Sequence, residues 1–321
     1  MPRRLTLITI IALQSLTALA GDADSLRVLF SGDTLRVLFT GDLLLDRGVR
    51  AKIDTTGIDA LFSPSIDSLL AAHDLVVPNL ECPVTDIKAP MQKWFIFRGD
   101  PIHLPALRRH GITHLNLANN HSIDQGREGL MDTRDRIVAA GMVPVGAGKN
   151  MQEAACPVLL DSVPRRVWVV PSLRLALENY AYLPNRPCVS QESFSVLLNR
   201  VRELRNSDPQ CCIIPVLHWG GENTMRPILQ QVAEAHRLVE AGADIIIGHH
   251  SHTLQPVERY KGSTIYYSIG NFIFDARRPT HNQACAVSVT ITPDSIHSEA
   301  IPITIRDCVP HVSSPQYLPT N

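Results

Sequence analysis

From about residue 35 to the end of the chain, short apolar runs alternate with amphipathic stretches, the pattern of an α/β sheet carrying helices on its faces. Residues 34–42, 74–78, 112–117, 142–145, 166–170, 212–217 and 244–248 read as strands. Between them, residues 60–72, 101–110, 127–140 and 227–240 carry helical periodicity, and Gly111, Gly141 and Gly242 stand where three of those helices should stop. Residues 286–291 and 301–305 alternate apolar with polar and read as closing strands of the same domain. Residues 309–321 read as a disordered tail.

The first strand is written twice. Ser25-Leu-Arg-Val-Leu-Phe-Ser-Gly-Asp33 is followed at once by Thr34-Leu-Arg-Val-Leu-Phe-Thr-Gly-Asp42. The second copy runs on into Leu-Leu-Leu-Asp-Arg-Gly and is assigned as the core strand. The first is a local duplication or an edge extension, with Asp33 a bystander. Ahead of both, Arg3-Arg4 precede a mostly apolar run over residues 5–20 that ends Ala18-Leu19-Ala20, the order of a secretory signal peptide. The run is short for a membrane span. The expected division is therefore a cleaved signal peptide at 1–20, the duplicated segment at 21–34, a single domain at 35–308 and the tail at 309–321. The mature chain is expected outside the cytoplasm: periplasmic, secreted or at the cell surface.

Composition narrows the partners. With 45% hydrophobic residues in 321, the chain can bury a large core. Thirty basic residues against 31 acidic ones leave no electrostatic footprint for nucleic acid. The seven cysteines show no C-x-x-C spacing, which argues against a thiolate zinc knuckle or a redox pair. Cys211 and Cys212 open an apolar run and are expected as small buried hydrophobes. An odd total leaves at least one thiol unpaired.

The chemistry gathers where strands end. Gly41-Asp42, Asn79-Leu80-Glu81, Asn119-Asn120-His121, His218-Trp219-Gly220 and His249-His250-Ser251-His252 each follow an apolar strand-like run. Loops beyond the carboxyl ends of strands line the ligand crevice of open α/β sheets. Carboxylate oxygen, amide oxygen and imidazole nitrogen together suit zinc, manganese or iron. Asp42, Glu81, Asn120, His121, His218, His250 and His252 are thus the candidate centre. Each has an ordinary alternative: an Asn-rich turn, a capping carboxylate, a satisfied core histidine. All those alternatives must coincide for the centre to be illusory. Arg47, Lys93 and Arg98 are candidate cationic walls for an anionic substrate, against ordinary surface charge, and Asn271 is placed beside the same crevice.

Thr40-Gly-Asp42 with Arg47, Asn79-Leu-Glu81, Leu117-Ala-Asn-Asn-His121-x-x-Asp124-x-Gly126, His218-Trp-Gly220, His250-x-His252 and Tyr267-Ser-Ile-Gly-Asn271-Phe resemble the CapA/PgsA-type poly-γ-glutamate capsule biosynthesis family over about residues 35–276. That family is similar in turn to the calcineurin-like metallophosphoesterases. The resemblance implies a four-layer sandwich, two β-sheets flanked by helices, around one or two divalent ions (Mn, Zn or Fe). Asp42 would bind the first ion, Glu81 would bridge, and Asn120, His218 and His250 would bind the second. His252 would return to the first, and His121 would be the catalytic acid. One position departs from the pattern: Leu44 stands where the phosphoesterases carry a histidine, so the first ion loses a ligand. Implied partners are an anionic polymer or a phosphoester, together with membrane-bound capsule synthesis machinery. Two activities compete, a metal-dependent hydrolase working through an activated water and a non-catalytic accessory that binds or exports the polymer. A purely structural surface protein has no use for clustered histidines.

Overall fold

The computed structural model describes residues 33–175 and 183–314, so the expected signal peptide and the first copy of the repeat up to Gly32 lie outside the described residues. In chain order the strands are β1 (Leu35–Leu43), β2 (Leu75–Leu80), β3 (His114–Asn116), β4 (Val143–Val145), β5 (Ala147–Gly148), β6 (Val158–Asp161), β7 (Val167–Arg174), β8 (Cys188–Val189), β9 (Cys212–Trp219), β10 (Ile245–His249), β11 (Val257–Tyr260), β12 (Ser263–Tyr266), β13 (Asn271–Ile273), β14 (Gln283–Ile291), β15 (Ile296–Arg306) and β16 (Val309–Val312). The helices are α1 (Arg47–Thr56), α2 (Pro64–Ala71), α3 (Leu104–Arg109), α4 (Gly126–Ala139), α5 (Met151–Ala154), α6 (Phe194–Ser207) and α7 (Leu229–Glu240).

One sheet runs β16-β15-β14-β1-β2-β3-β4, with β13 also pairing β1; the other runs β11-β12-β10-β9-β7-β6. β1 to β4 are parallel, as are β7, β9, β10 and β12, so their carboxyl ends point one way within each sheet. Three apolar layers show how the sheets and helices stack. Val37 and Phe39 of β1 and Val287 and Val289 of β14 meet Val169, Ile214, Val216 and Ile247 from the other sheet. Their strand neighbours point the opposite way, as a period of two requires. Leu38 and Ala286 pack with Val49 and Ile53 of α1, Ile66 of α2 and Leu130 of α4. Ile213, Leu217 and Ile246 pack with Leu197 and Val201 of α6 and Leu238 of α7. Helices, sheet, sheet, helices: this is the four-layer sandwich that the resemblance implies.

Three helices escape the periodicity reading: α1, the single turn α5 and α6. Short α1 buries only Val49 and Ile53, but Asp46 caps it by accepting from the Arg47 N–H at 2.8 Å. In α6 the buried face is Leu197, Leu198 and Val201. The tail also needs correcting. Val309–Val312, expected to be disordered, forms β16 against β15, with Val309 only 9% exposed. Pro310 is tolerated because β16 is an edge strand with no further neighbour in the sheet order. All seven cysteines are unpaired, and all but Cys156 are buried, Cys211 and Cys212 included.

His114 of β3 has a consequence for stability. Burial, with a smaller contribution from the Arg108 charge, pushes its pKa down to about 4. The unfolded chain then binds a proton that the folded one refuses between about pH 6.5 and pH 4, so stability conferred above that window is lost as pH falls through it. From pH 7 to pH 5 this site should cost on the order of 2 kcal/mol. Urea midpoints at the two pH values check it: in His114→Gln the difference should shrink, and an unchanged difference would remove His114 from the account.

Candidate metal centre

Each site residue is delivered by a strand end. Gly41 and Gly248 make the delivery tight: a Cβ at Gly41 would lie 2.1 Å from the Gly270 carbonyl oxygen, and one at Gly248 would lie 2.0 Å from that of Tyr267. Only glycine allows backbones that close. Asp42 lies near the end of β1 and Glu81 follows β2 directly. Asn120 and His121 sit in the turn after β3, which Asn119 builds. Its Oδ1 accepts from the backbone N–H of His121 and Ser122 at 3.1 and 2.9 Å. The turn-forming alternative therefore describes Asn119 and not Asn120. His218 lies on β9, and His250 and His252 follow β10 with left-handed backbone, φ 92° and 56°.

Around His218 Nε2, the Asn120 Oδ1 lies at 2.9 Å, His250 Nδ1 at 3.1 Å and Glu81 Oε1 at 3.8 Å. The other half holds Asp42, whose Oδ2 is 3.2 Å from His252 Nδ1, and Glu81, whose Oε1 is 3.7 Å from His252 Nε2. Glu81 belongs to both groups, and within each of Glu81–His218–His250 and Asp42–Glu81–His252 the donor atoms lie within 4.8 Å of one another. Both Glu81 oxygens and Asp42 Oδ2 are buried and find no hydrogen-bond donor among the described residues. Buried carboxylate oxygens left like this are costly, and a divalent cation is what a set of nitrogen and oxygen acceptors fits. Leu44 contributes nothing here, being fully buried in the apolar layer beside α1.

Protons stand in for that charge in the protein alone. Burial, reinforced by the Asp42 charge, raises the Glu81 carboxyl well above its usual range. For His252, burial acts downward but is outweighed by the charges of Glu81 and Asp42, which hold its pKa up at about 10. Burial, with the neighbouring His252 next, drives His250 down to about 3 and so leaves a neutral imidazole.

His121 is set apart from these groups. Its Nδ1 donates to Asp124 Oδ2 at 2.8 Å, and Asp124 also accepts from the Phe97 N–H at 2.8 Å and from Lys93 Nζ at 2.7 Å. Phe97 packs on the imidazole with ring centroids 4.2 Å apart. Burial lowers the His121 pKa, partly offset by Asp124.

The four residues expected to bind substrate all have partners within the protein. Lys93 Nζ also donates to the Asn120 carbonyl at 2.6 Å, tying the His121 turn to its neighbouring loop. Arg98 Nη1 donates to the Thr85 carbonyl at 2.8 Å. Arg47 pairs with Asp275 and lies between Phe97 and Phe274, 5.0 and 5.2 Å from the ring centroids. Asn271 is buried, and its Oδ1 accepts from His252 Nδ1 at 2.9 Å, which fixes that imidazole with Nε2 toward Glu81. Two residues quoted within the strand-end clusters were not assigned to the site. Asn79 Nδ2 donates to Asp42 Oδ1 at 2.8 Å, and His249 Nδ1 lies 3.2 Å from the same oxygen.

Comparison with known proteins bears on the fold and the family. A CapA described as a PGA biosynthesis protein, from Bacillus subtilis (strain 168), is 29% identical over 91% of this chain and 77% of its own length. The capsule biosynthesis protein CapA of Bacillus anthracis is 32% identical over 73% of this chain and 58% of its own length. Among solved structures, the NAD nucleotidase NadN of Haemophilus influenzae superposes with a TM-score of 0.52 at 11% identity, over 85% of this chain and 56% of that one. This likeness shows the calcineurin-like phosphoesterase fold. Residues 36–276 match the family described as bacterial capsule synthesis protein PGA_cap, and the chain belongs to that family.

Proposed function

We propose that this protein is an exported, divalent-metal-dependent hydrolase that processes a phosphoester or an amide-linked anionic polymer in capsule synthesis. The observation that carries the reading is the convergence of orphaned Glu81 and Asp42 oxygens on His218, His250 and His252. Glu81, Asn120, His218 and His250 would hold one ion, and Asp42, Glu81 and His252 the other. A cation there supplies Lewis acidity and neutralises negative charge that develops on a substrate oxygen. The chain's own contribution is orientation and proton supply. Asp124 holds the His121 Nδ1 proton, so Nε2 faces away from Asp124 and is the atom that exchanges a proton with substrate. Burial keeps His121 neutral at rest, and an arriving anion favours its protonated form, so acid character is acquired as substrate binds.

A second reading is a non-catalytic accessory that holds the polymer, supported by the relatives named as capsule or PGA biosynthesis proteins. Purified protein loaded with Mn²⁺ or Zn²⁺ and assayed on phosphomonoesters, phosphodiesters and poly-γ-glutamate separates the two. Turnover that EDTA abolishes is the expected result. Bound metal with no turnover on any of these leaves the accessory.

A further inference from the structure

Asp42 has one imidazole more than the two groups above use. His252 faces its Oδ2 and His249 faces its Oδ1, each nitrogen at 3.2 Å. His249 is 1% exposed, and its Nδ1 is among the buried atoms that find no hydrogen-bond partner among the described residues. A buried imidazole nitrogen without a partner calls for an explanation. The register supplies direction: His249 pairs with His218 across β10 and β9, so both side chains leave the same face of the sheet, the face turned toward Asp42. Two donors on one ion with bonds of about 2.1 Å are about 3.0–3.4 Å apart at octahedral or tetrahedral angles. The His249–Asp42 spacing lies in that interval.

We propose that His249 is a ligand of the first half-site, supplying through Nδ1 the imidazole that Leu44 does not supply. Leu44 cannot turn in to do so. Its side chain is wholly buried in the helix-side apolar layer, and its N–H donates to the Ile273 carbonyl at 2.9 Å. His249 reaches the same carboxylate from the opposite sheet. The first half-site is then Asp42, Glu81, His249 and His252, a set of two carboxylates and two imidazoles suited to Zn²⁺, Mn²⁺ or Fe²⁺. This inference rests on the metal reading of the centre and extends it to a residue outside both groups.

The test is metal stoichiometry, with activity left aside. Wild type, His249→Ala, His249→Gln and His218→Ala are loaded with Co²⁺, and bound metal is counted by mass spectrometry alongside the visible absorption of the cobalt. Wild type should hold two ions per chain. His249→Ala should hold one, or bind the second at least about tenfold more weakly, and His218→Ala should lose the other ion, with a different residual spectrum. His249→Gln discriminates a ligand from an orienting hydrogen bond, because the amide can donate to Asp42 but offers cobalt at most an oxygen in place of the imidazole nitrogen, which changes the visible spectrum. A Gln variant resembling Ala supports the inference. A Gln variant with wild-type count and spectrum overturns it, and it also carries the comparison if the Ala variant does not fold. Unchanged metal in His249→Ala overturns this inference and leaves the centre standing, whereas a wild type that takes up no ion overturns both.

Discussion

Glu81→Gln is expected to strip most bound metal from the protein, because Glu81 alone belongs to both donor groups. No other single change should affect both ions. The same substitution should act oppositely on the metal-free protein. A charge left buried without compensation costs on the order of 3–5 kcal/mol, and the raised pKa of Glu81 shows the carboxyl avoiding that cost by taking up a proton. An amide of the same shape has no charge to bury. Calorimetry with and without EDTA should therefore show the order reversing. With saturating Mn²⁺ the wild type melts higher, and in EDTA the variant equals or exceeds it. Equal metal content in the two proteins would remove Glu81 from the bridging position. Uptake of metal should also release protons, since the buried Glu81–His252 pair favours a protonated form in the ion-free protein.

His121→Asn should leave metal content unchanged and lower kcat by about 10²–10⁴-fold, the range general-acid residues supply. The loss should depend on the leaving group. A p-nitrophenolate needs little protonation and should suffer least, while an alkoxide should suffer most. His121 lies at the centre without belonging to either donor group, so chemistry and metal binding separate at this residue. Asp124→Asn should fall in the same direction by a smaller factor, because the imidazole loses its held tautomer but not its proton. A rate loss equal across leaving groups would reassign His121 to substrate binding.

The strand-end clusters were legible because strands and their polar caps are local patterns. Asp42, Glu81, Asn120, His218, His250 and His252 each follow an apolar run, and parallel strands bring their ends to one edge of a sheet. His249 was legible in principle. Ile245, Ile247 and His249 alternate on one face of β10, and the two isoleucines lie in the inter-sheet layer. Its position beside two more obvious histidines hid it. The fates of Arg47, Lys93 and Arg98 were not legible, since their partners are set by tertiary structure. Arg47 meets Asp275 across 228 residues of sequence. No local window contains that pair. Likewise, the parallel pairing of β13 with β1, which carries Asn271 next to Asp42, is a long-range closure. Residues 309–312 read as a tail because four residues with a proline carry too little pattern to reveal an edge strand.

Both halves of the proposed centre would draw ligands from both sheets. Residues up to β4 bring carboxylates and an amide, and residues from β9 onward bring imidazoles, so neither stretch of chain holds an ion's ligands alone. The distance between two ions bound there would then be a property of the seam. Phe39, Val216 and Ile247 lie in that seam. Changes in their bulk shift one sheet against the other and so retune metal spacing while every ligand stays in place. Evolution within such a fold has an adjustment available that ligand sequences do not record, and relatives with identical ligands can differ in chemistry through the packing between their sheets.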